Sequence, residues 1–186
     1  KQAGEINPGG MAAIIGLDIP ALDKICADAS RPNELVQVAN DNCPGQVVIS
    51  GHIPALERAL QLAQVAGARR TVRLAVSIAS HSPLMRQAQV GFFQAVEAAS
   101  VVDPLFPMVG NVSARPLSTA QEVRQDLQDQ LTHRVRWRES IEWMIAQGIN
   151  TFIEIGNNTV LTGLLKRING DMRGINLGTP ADFERL

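Results

Sequence analysis

Apolar and polar positions in the first eighty residues follow two periods in turn. Residues 11–16 (MAAIIG) form a short apolar run that predicts a strand. From Pro20 the period lengthens. Leu22, Ile25, Cys26 and Ala29 share one face of a helix over 20–29, with Pro20 suited to its first turn. Residues 35–40 (LVQVAN) alternate as a strand, Pro44-Gly45 makes a turn, and 46–50 (QVVIS) gives another strand closed by Gly51. A second helix over 54–66 has Leu56, Ala59, Leu60 and Ala63 on its apolar face and ends at Gly67. Residues 70–76 (RTVRLAV) supply a fourth strand. The order β-α-β-β-α-β predicts the split arrangement of a ferredoxin-like sandwich over residues 9–77.

The second part has a different rhythm. Residues 82–100 predict a long helix with Phe92, Phe93, Val96 and Ala99 as its later stripe. Pro104 and Pro107 bracket a short strand continuing through Met108-Val109. An amphipathic helix is expected over 119–132, with Thr119 as N-cap and Glu122 completing a capping box. Helices at 137–147, ended by Gly148, and at 160–168 follow, the latter with Lys166 and Arg167 where the helix dipole favours cations. Between them 151–155 (TFIEI) reads as a buried strand, and 175–177 as a last one. Alternating helices and short strands predict an α/β layer with parallel pairing over residues 78–186.

Composition narrows the function classes. The 186 residues are 45% hydrophobic and 19% charged with a net charge of −1, the profile of a globular α/β chain rather than a nucleic-acid binder. Cys26 and Cys43 lack C-x-x-C spacing and no metal-ligand set is evident, so free thiols in a cytoplasmic protein are expected. No apolar run approaches the ~20 residues a membrane span needs. Lys1-Gln2-Ala3-Gly4-Glu5 carries no signal core. With no initiator methionine, the chain is expected to begin inside a larger sequence.

One segment stands out for chemistry, Ser80-His81-Ser82-Pro83-Leu84-Met85, between a β-like run and a helical one. A histidine in such a loop can take a proton from a serine or thiol and return it to a leaving group; the plainer reading is a histidine packed at a helix start. No Gly-x-Ser-x-Gly elbow accompanies it. His52 fits a capping role, and His133, among Arg134, Arg136 and Arg138, fits the surface. The polar cluster Asn40-Asp41-Asn42-Cys43-Pro44-Gly45-Gln46 either satisfies its own turn or lines a cleft, Asn42 and Gln46 then holding a substrate amide or carboxylate. At Glu154 to Gly163 a strand ends in glycine before a helix, where backbone groups bind anions or orient a side chain, or simply form a βα loop. Basic groups at Arg69, Arg70 and Arg73, at Arg134, Arg136 and Arg138, and at Lys166 and Arg167 are either a solvated face or a docking surface for an acidic carrier or a phosphate.

Six segments in order, MAAIIGLD (11–18), NCPGQVVISG (42–51), SHSPLM (80–85), GNVSARP (110–116), VRWRESIEWM (135–144) and IEIGNNTVLTGLLKRI (153–168), make the chain resemble the malonyl-CoA:acyl-carrier-protein transacylase family, related to polyketide synthase acyltransferase domains. The resemblance implies a hydrolase-like α/β subdomain, here its C-terminal portion, with the small ferredoxin-like subdomain inserted. It implies ping-pong transfer of malonyl from CoA to the phosphopantetheine thiol of an acyl carrier protein, with no bound cofactor or metal. His81 would be the catalytic histidine, and a backbone carbonyl near Asn157 would orient its ring. Ser80 sits where acyltransferases discriminate acyl units; serine there leaves room for a branched unit but also occurs in malonyl enzymes.

The resemblance also puts the elbow serine, the oxyanion-hole donors and a carboxylate-binding arginine before Lys1. The chain alone is therefore expected to be inactive, a monomer or part of a larger synthase, and prone to aggregate through exposed sheet edges. The family's Gly-Pro-Gly-Lys is Gly156-Asn157-Asn158-Thr159 here, which removes any role for that lysine. Two other readings compete, a non-catalytic carrier-docking module and an acyl hydrolase of the same architecture. The first would have no nucleophile at all; the second would lack the carboxylate-binding arginine and prefer water to a thiol.

Overall fold

The computed structural model describes residues 8–185; the polar stretch Lys1 to Glu5 lies outside them. The first unit runs β1 (Gly10–Ile15), α1 (Ile19–Ala29), β2 (Val36–Cys43), β3 (Gln46–Gly51), α2 (Ile53–Val65) and β4 (Arg70–Arg73). Its strands form one antiparallel sheet in the order β2-β3-β1-β4.

Each turn has a local cause. The Asp18 carboxylate accepts from the Ala21 amide at 3.0 Å and caps α1. Pro44-Gly45 closes the β2–β3 hairpin with Gly45 at φ +68°, where glycine has no Cβ penalty. Gly51 is needed for space: a Cβ there would lie 2.2 Å from the Leu35 carbonyl oxygen.

Both helices cover one face of the sheet. Leu22, Ile25, Cys26 and Ala29 of α1 and Ala55, Leu56, Ala59 and Ala63 of α2 pack on Ala12, Ile14, Val36, Val38, Val47 and Ile49. The other face presents Met11, Ala39 and Val48, with Ala13 and Leu74 against them. At its edge the chain beyond β4 returns: a Cβ on Gly9 would meet Ala79 at 2.6 Å and Leu84 at 3.2 Å.

The rest of the chain has a 3-10 turn (Pro83–Met85), then α3 (Arg86–Ala98), β5 (Met108–Val109), β6 (Pro116–Leu117), α4 (Ala120–Asp129), α5 (Trp137–Ala146), β7 (Thr151–Ile155), α6 (Val160–Ile168) and β8 (Arg173–Leu177), closed by a 3-10 turn (Pro180–Arg185). β5 and β6 pair antiparallel, β7 and β8 parallel. The fold is α/β with both kinds of pairing. No helix among the described residues is long and apolar enough to cross a membrane.

Several expectations change. The strand expected to start between Pro104 and Pro107 and run through Val109 is only Met108–Val109. The strand over 70–76 stops at Arg73: after one more hydrogen bond, from the Leu74 amide to the Met11 carbonyl at 2.9 Å, the chain leaves the sheet. The helix over 82–100 begins as a 3-10 turn capped by Ser82 and becomes α-helical at Arg86. The helix over 119–132 ends at Asp129, although its capping box is present: Glu122 accepts from the Thr119 amide and Thr119 Oγ1 from the Glu122 amide. β7 is not buried. α5 and α6 face Phe152 but leave Ile153 and Ile155 exposed.

Among the contacts that tie the halves together are two backbone hydrogen bonds. The Asp41 amide donates to the Val135 carbonyl at 2.9 Å and the Val135 amide to the Ala39 carbonyl at 2.8 Å. Beside them Arg138 Nη2 lies 3.0 Å from the buried Asp41 carboxylate. Burial pushes that carboxyl above its ordinary range, and Arg138 only partly opposes it.

Candidate active site

His81 lies eight residues past the end of β4, so it is not at a strand end as expected. Its backbone is left-handed, φ +59°, which is costly for a residue with a Cβ and persists only when the surroundings hold it. Three hydrogen bonds do so. The His81 amide donates to the Leu131 carbonyl at 3.0 Å. Gln37 Nε2, from β2, donates to the His81 carbonyl at 2.8 Å. Nδ1 of the ring lies 2.8 Å from the Gln130 carbonyl oxygen.

The last contact determines the chemistry. A carbonyl only accepts, so Nδ1 carries the proton in the neutral ring and Nε2 presents a lone pair. Among the described residues no hydrogen bond engages Nε2. The ring is half-buried. Gln130 and Leu131 follow the C-terminus of α4, where the dipole's negative end favours an imidazolium as it forms.

This corrects the sequence reading, which put the orienting carbonyl near Asn157. Asn157 is exposed in the β7–α6 loop, and among the described residues no hydrogen bond joins it to His81. That loop is braced internally: Asn176 Nδ2 donates to the Gly156 carbonyl at 3.1 Å, and Gly156 adopts φ +152°. Nor is the start of α6 an open anion site. The Glu154 carboxylate already accepts from the Leu161 amide at 3.0 Å and from the Thr162 amide and hydroxyl at 2.8 and 2.9 Å. Desolvation pushes that carboxyl up, but these hydrogen bonds together outweigh it and hold it below the usual range.

The other candidates separate. Ser80 stands beside the base, half-buried. Ser82 is fully buried, its hydroxyl donating to the Ala79 carbonyl at 2.7 Å while it caps the 3-10 turn. Asn42 is half-buried on β2 and does not bond to His81. Gln46 opens β3, with Oε1 engaged by Arg167. The two thiols are buried; desolvation pushes Cys26 up to about 12 and raises Cys43 as well, so neither offers appreciable thiolate at neutral pH.

His52 holds the opposite tautomer from His81. The Leu35 amide donates to its Nδ1 at 3.0 Å, making it a brace at the β3–α2 turn. His133 is exposed, with Nδ1 3.0 Å from the Asp129 carbonyl.

GNVSARP and VRWRES build the support. The Asp126 carboxylate accepts from the Asn111 and Val112 amides, both at 3.2 Å. Arg136 donates to the Ser113 carbonyl at 2.9 Å and pairs with Glu139. A Cβ on Gly110 would lie 2.3 Å from Asp126 Oδ1, so a larger residue there would displace the carboxylate that holds the loop. Beside the His81 segment opens a cleft of about 510 Å³ whose walls include Gln37, Pro83, Arg86, Asp129 and His133.

Gln37 and Gln130 were missed by sequence reasoning. Gln37 reads as one polar position in an alternating strand. Gln130 falls in the last turn of the predicted helix, where carbonyls have no intrahelical partner, but nothing in the sequence says that this one meets His81.

No family model matches the chain. It is 41% identical over 184 residues to the malonyl CoA-acyl carrier protein transacylase of Bacillus subtilis, covering 99% of this chain and 58% of that protein. The solved acyl-carrier-protein S-malonyltransferase of Bartonella henselae superposes with a TM-score of 0.93 at 41% identity, covering 99% of this chain and 60% of that one. A malonyl-transacylase solved in complex with a type II polyketide synthase acyl-carrier protein gives 0.92 at 36%, covering 98% and 60%. The chain thus spans about three fifths of the length of these relatives.

Proposed function

This chain belongs to the malonyl-CoA:acyl-carrier-protein transacylase family, and from that premise we propose that it forms the base-bearing part of an enzyme moving malonyl from malonyl-CoA to the phosphopantetheine thiol of an acyl carrier protein. The observation that carries this reading is the 2.8 Å contact between His81 Nδ1 and the Gln130 carbonyl, which leaves Nε2 as the acceptor. Because no Gly-x-Ser-x-Gly occurs among the 186 residues, the nucleophilic serine comes from outside them.

The steps follow from a single proton acceptor. His81 Nε2 takes the serine proton as the hydroxyl attacks the malonyl thioester carbonyl, and the resulting imidazolium gives that proton to the departing CoA sulfur. The serine then carries malonyl as an ester. In the second half His81 takes the proton of the phosphopantetheine thiol, whose sulfur attacks the ester, and returns it to the serine oxygen. The ring is therefore used twice, each time as base and then as acid. The Gln130 carbonyl, at the C-terminus of α4, holds it in place.

The finer assignments belong to the same proposal. Residues 9–77 form a ferredoxin-like subdomain, and 78–186 belong to the C-terminal portion of a larger α/β subdomain. Ser80, next to the base, lines the acyl group and bears on its choice. Asn42 and Gln46 act on the substrate from the β2–β3 hairpin and Asn157 from the β7–α6 loop, none of them through the imidazole. The carrier protein is the acyl acceptor; one relative is solved in complex with such a protein.

The test is His81→Ala in the full-length protein. Loss of the base should lower malonyl transfer by roughly 10²–10⁴-fold; near-normal transfer would overturn the assignment. Assaying malonyl release to water alongside separates a transferase, in which the thiol outcompetes water, from a hydrolase.

A further inference from the structure

We infer that Gln37 is a positioning residue for His81: its side-chain amide fixes the carbonyl of the base's own peptide and so aims the imidazole. This rests on the reading of His81 as the base.

Three observations meet at this contact. The first is the left-handed backbone of His81, φ +59°, a conformation that relaxes unless held. The second is the division of its partners. Leu131 and Gln130 hold the amide and the ring from the connection after α4, whereas Gln37 Nε2, at 2.8 Å, is the hydrogen bond from the four-stranded sheet. The third is that sheet and connection are stitched to each other. Val135 bridges to Ala39 and Asp41 of β2, and the Arg138–Asp41 pair, at 3.0 Å, lies alongside. The Gln37 amide therefore cannot drift relative to Gln130, and His81 is clamped between two walls of fixed separation.

Register puts the side chain where it must be. Gln37 stands opposite Ser50, and Ser50 opposite Met11, so all three project from the sheet face away from α1 and α2. The donor then reaches His81 along the edge of the 510 Å³ cleft, which Gln37 also lines. The contact requires an N–H donor of this reach, which the glutamine amide supplies. A carboxylate would repel the carbonyl.

The experiment uses the full-length protein and two variants, Gln37→Met, which keeps the shape and removes the donor, and Gln37→Ala, each alone and combined with His81→Ala. Losing the clamp should lower kcat about tenfold or more, as small misplacements of a catalytic group do, with KM for malonyl-CoA within about twofold of wild type. In the His81→Ala background the Gln37 changes should have no further effect on residual turnover, since there is no imidazole left to aim. Full kcat in Gln37→Met beside an inactive His81→Ala enzyme overturns the inference and leaves the base assignment standing. So does an equal fold-loss in both backgrounds, the mark of a merely structural role. A His81→Ala enzyme with near-normal turnover overturns the base assignment, and the inference with it.

Discussion

The left-handed backbone of His81 gives a stability prediction that runs opposite to function. For a residue with a Cβ this conformation costs about 1–2 kcal/mol, and glycine avoids it. Glycine instead loses about 0.5–1 kcal/mol more backbone freedom on folding than alanine. The midpoints of the two ranges leave His81→Gly about 0.75 kcal/mol more stable than His81→Ala, a roughly three- to fourfold larger folded-to-unfolded ratio. Both lose the Nδ1 contact to Gln130, worth about 1 kcal/mol, so that loss cancels in the comparison. Both also lose the base, and transfer should fall about equally, by roughly 10²–10⁴-fold. The assay is paired urea denaturation of the full-length variants at neutral pH, reading the midpoints at unchanged slope. An alanine variant as stable as the glycine variant, or more so, would refute the claim that strain is stored at this residue.

Gly51→Ala should cost about 3 kcal/mol or more, because the new Cβ would sit 2.2 Å from the Leu35 carbonyl oxygen and 2.6 Å from Val36 Cα, backbone atoms that no rotamer change relieves. Thermal melts check this, and a wild-type melting point contradicts it. Glu154 has a lowered folded pKa, so its contribution is present above the ordinary glutamate value of about 4.3 and is lost as pH falls through the folded value. Hydrogen exchange of the Leu161 and Thr162 amides should therefore speed up, relative to other protected amides, only in that acidic window, and uniform protection across it would argue against the cap. The isolated chain exposes Leu105 at 93%, Phe106 at 80%, Ile155 at 75% and Val102 at 74%, and should self-associate in light scattering where the full-length protein does not. A monodisperse isolated chain would count against that.

Much of the fold is legible in the sequence because its signals are local. β7 at 151–155 and α6 at 160–168 match their predicted bounds, and the Thr119–Glu122 capping box is visible as a four-residue motif. The site is less legible because its decisive contacts are distant. Gln130 lies 49 residues from His81 and Gln37 lies 44, and no periodicity links them. The last carbonyls of any helix are free, whether α4 ends at 129 or 132, so the end of α4 offers several acceptors and only the fold selects Gln130 for His81. The same limit misread the start of α6. The exposed amides expected there are taken up by Glu154, seven and eight residues earlier in the chain. The buried reading of β7 failed for another reason: an apolar run shows that burial is favourable, not that a partner covers both faces.

The most direct test of the account is to treat the full-length protein and its His81→Ala variant with malonyl-CoA, quench, and map the adduct by peptide mass spectrometry. One malonyl ester is expected, on a serine outside these 186 residues, forming rapidly in the wild type and slower by orders of magnitude in the variant. A malonyl group on Ser80, Ser82 or either cysteine, or equal labelling rates in the two proteins, would contradict it.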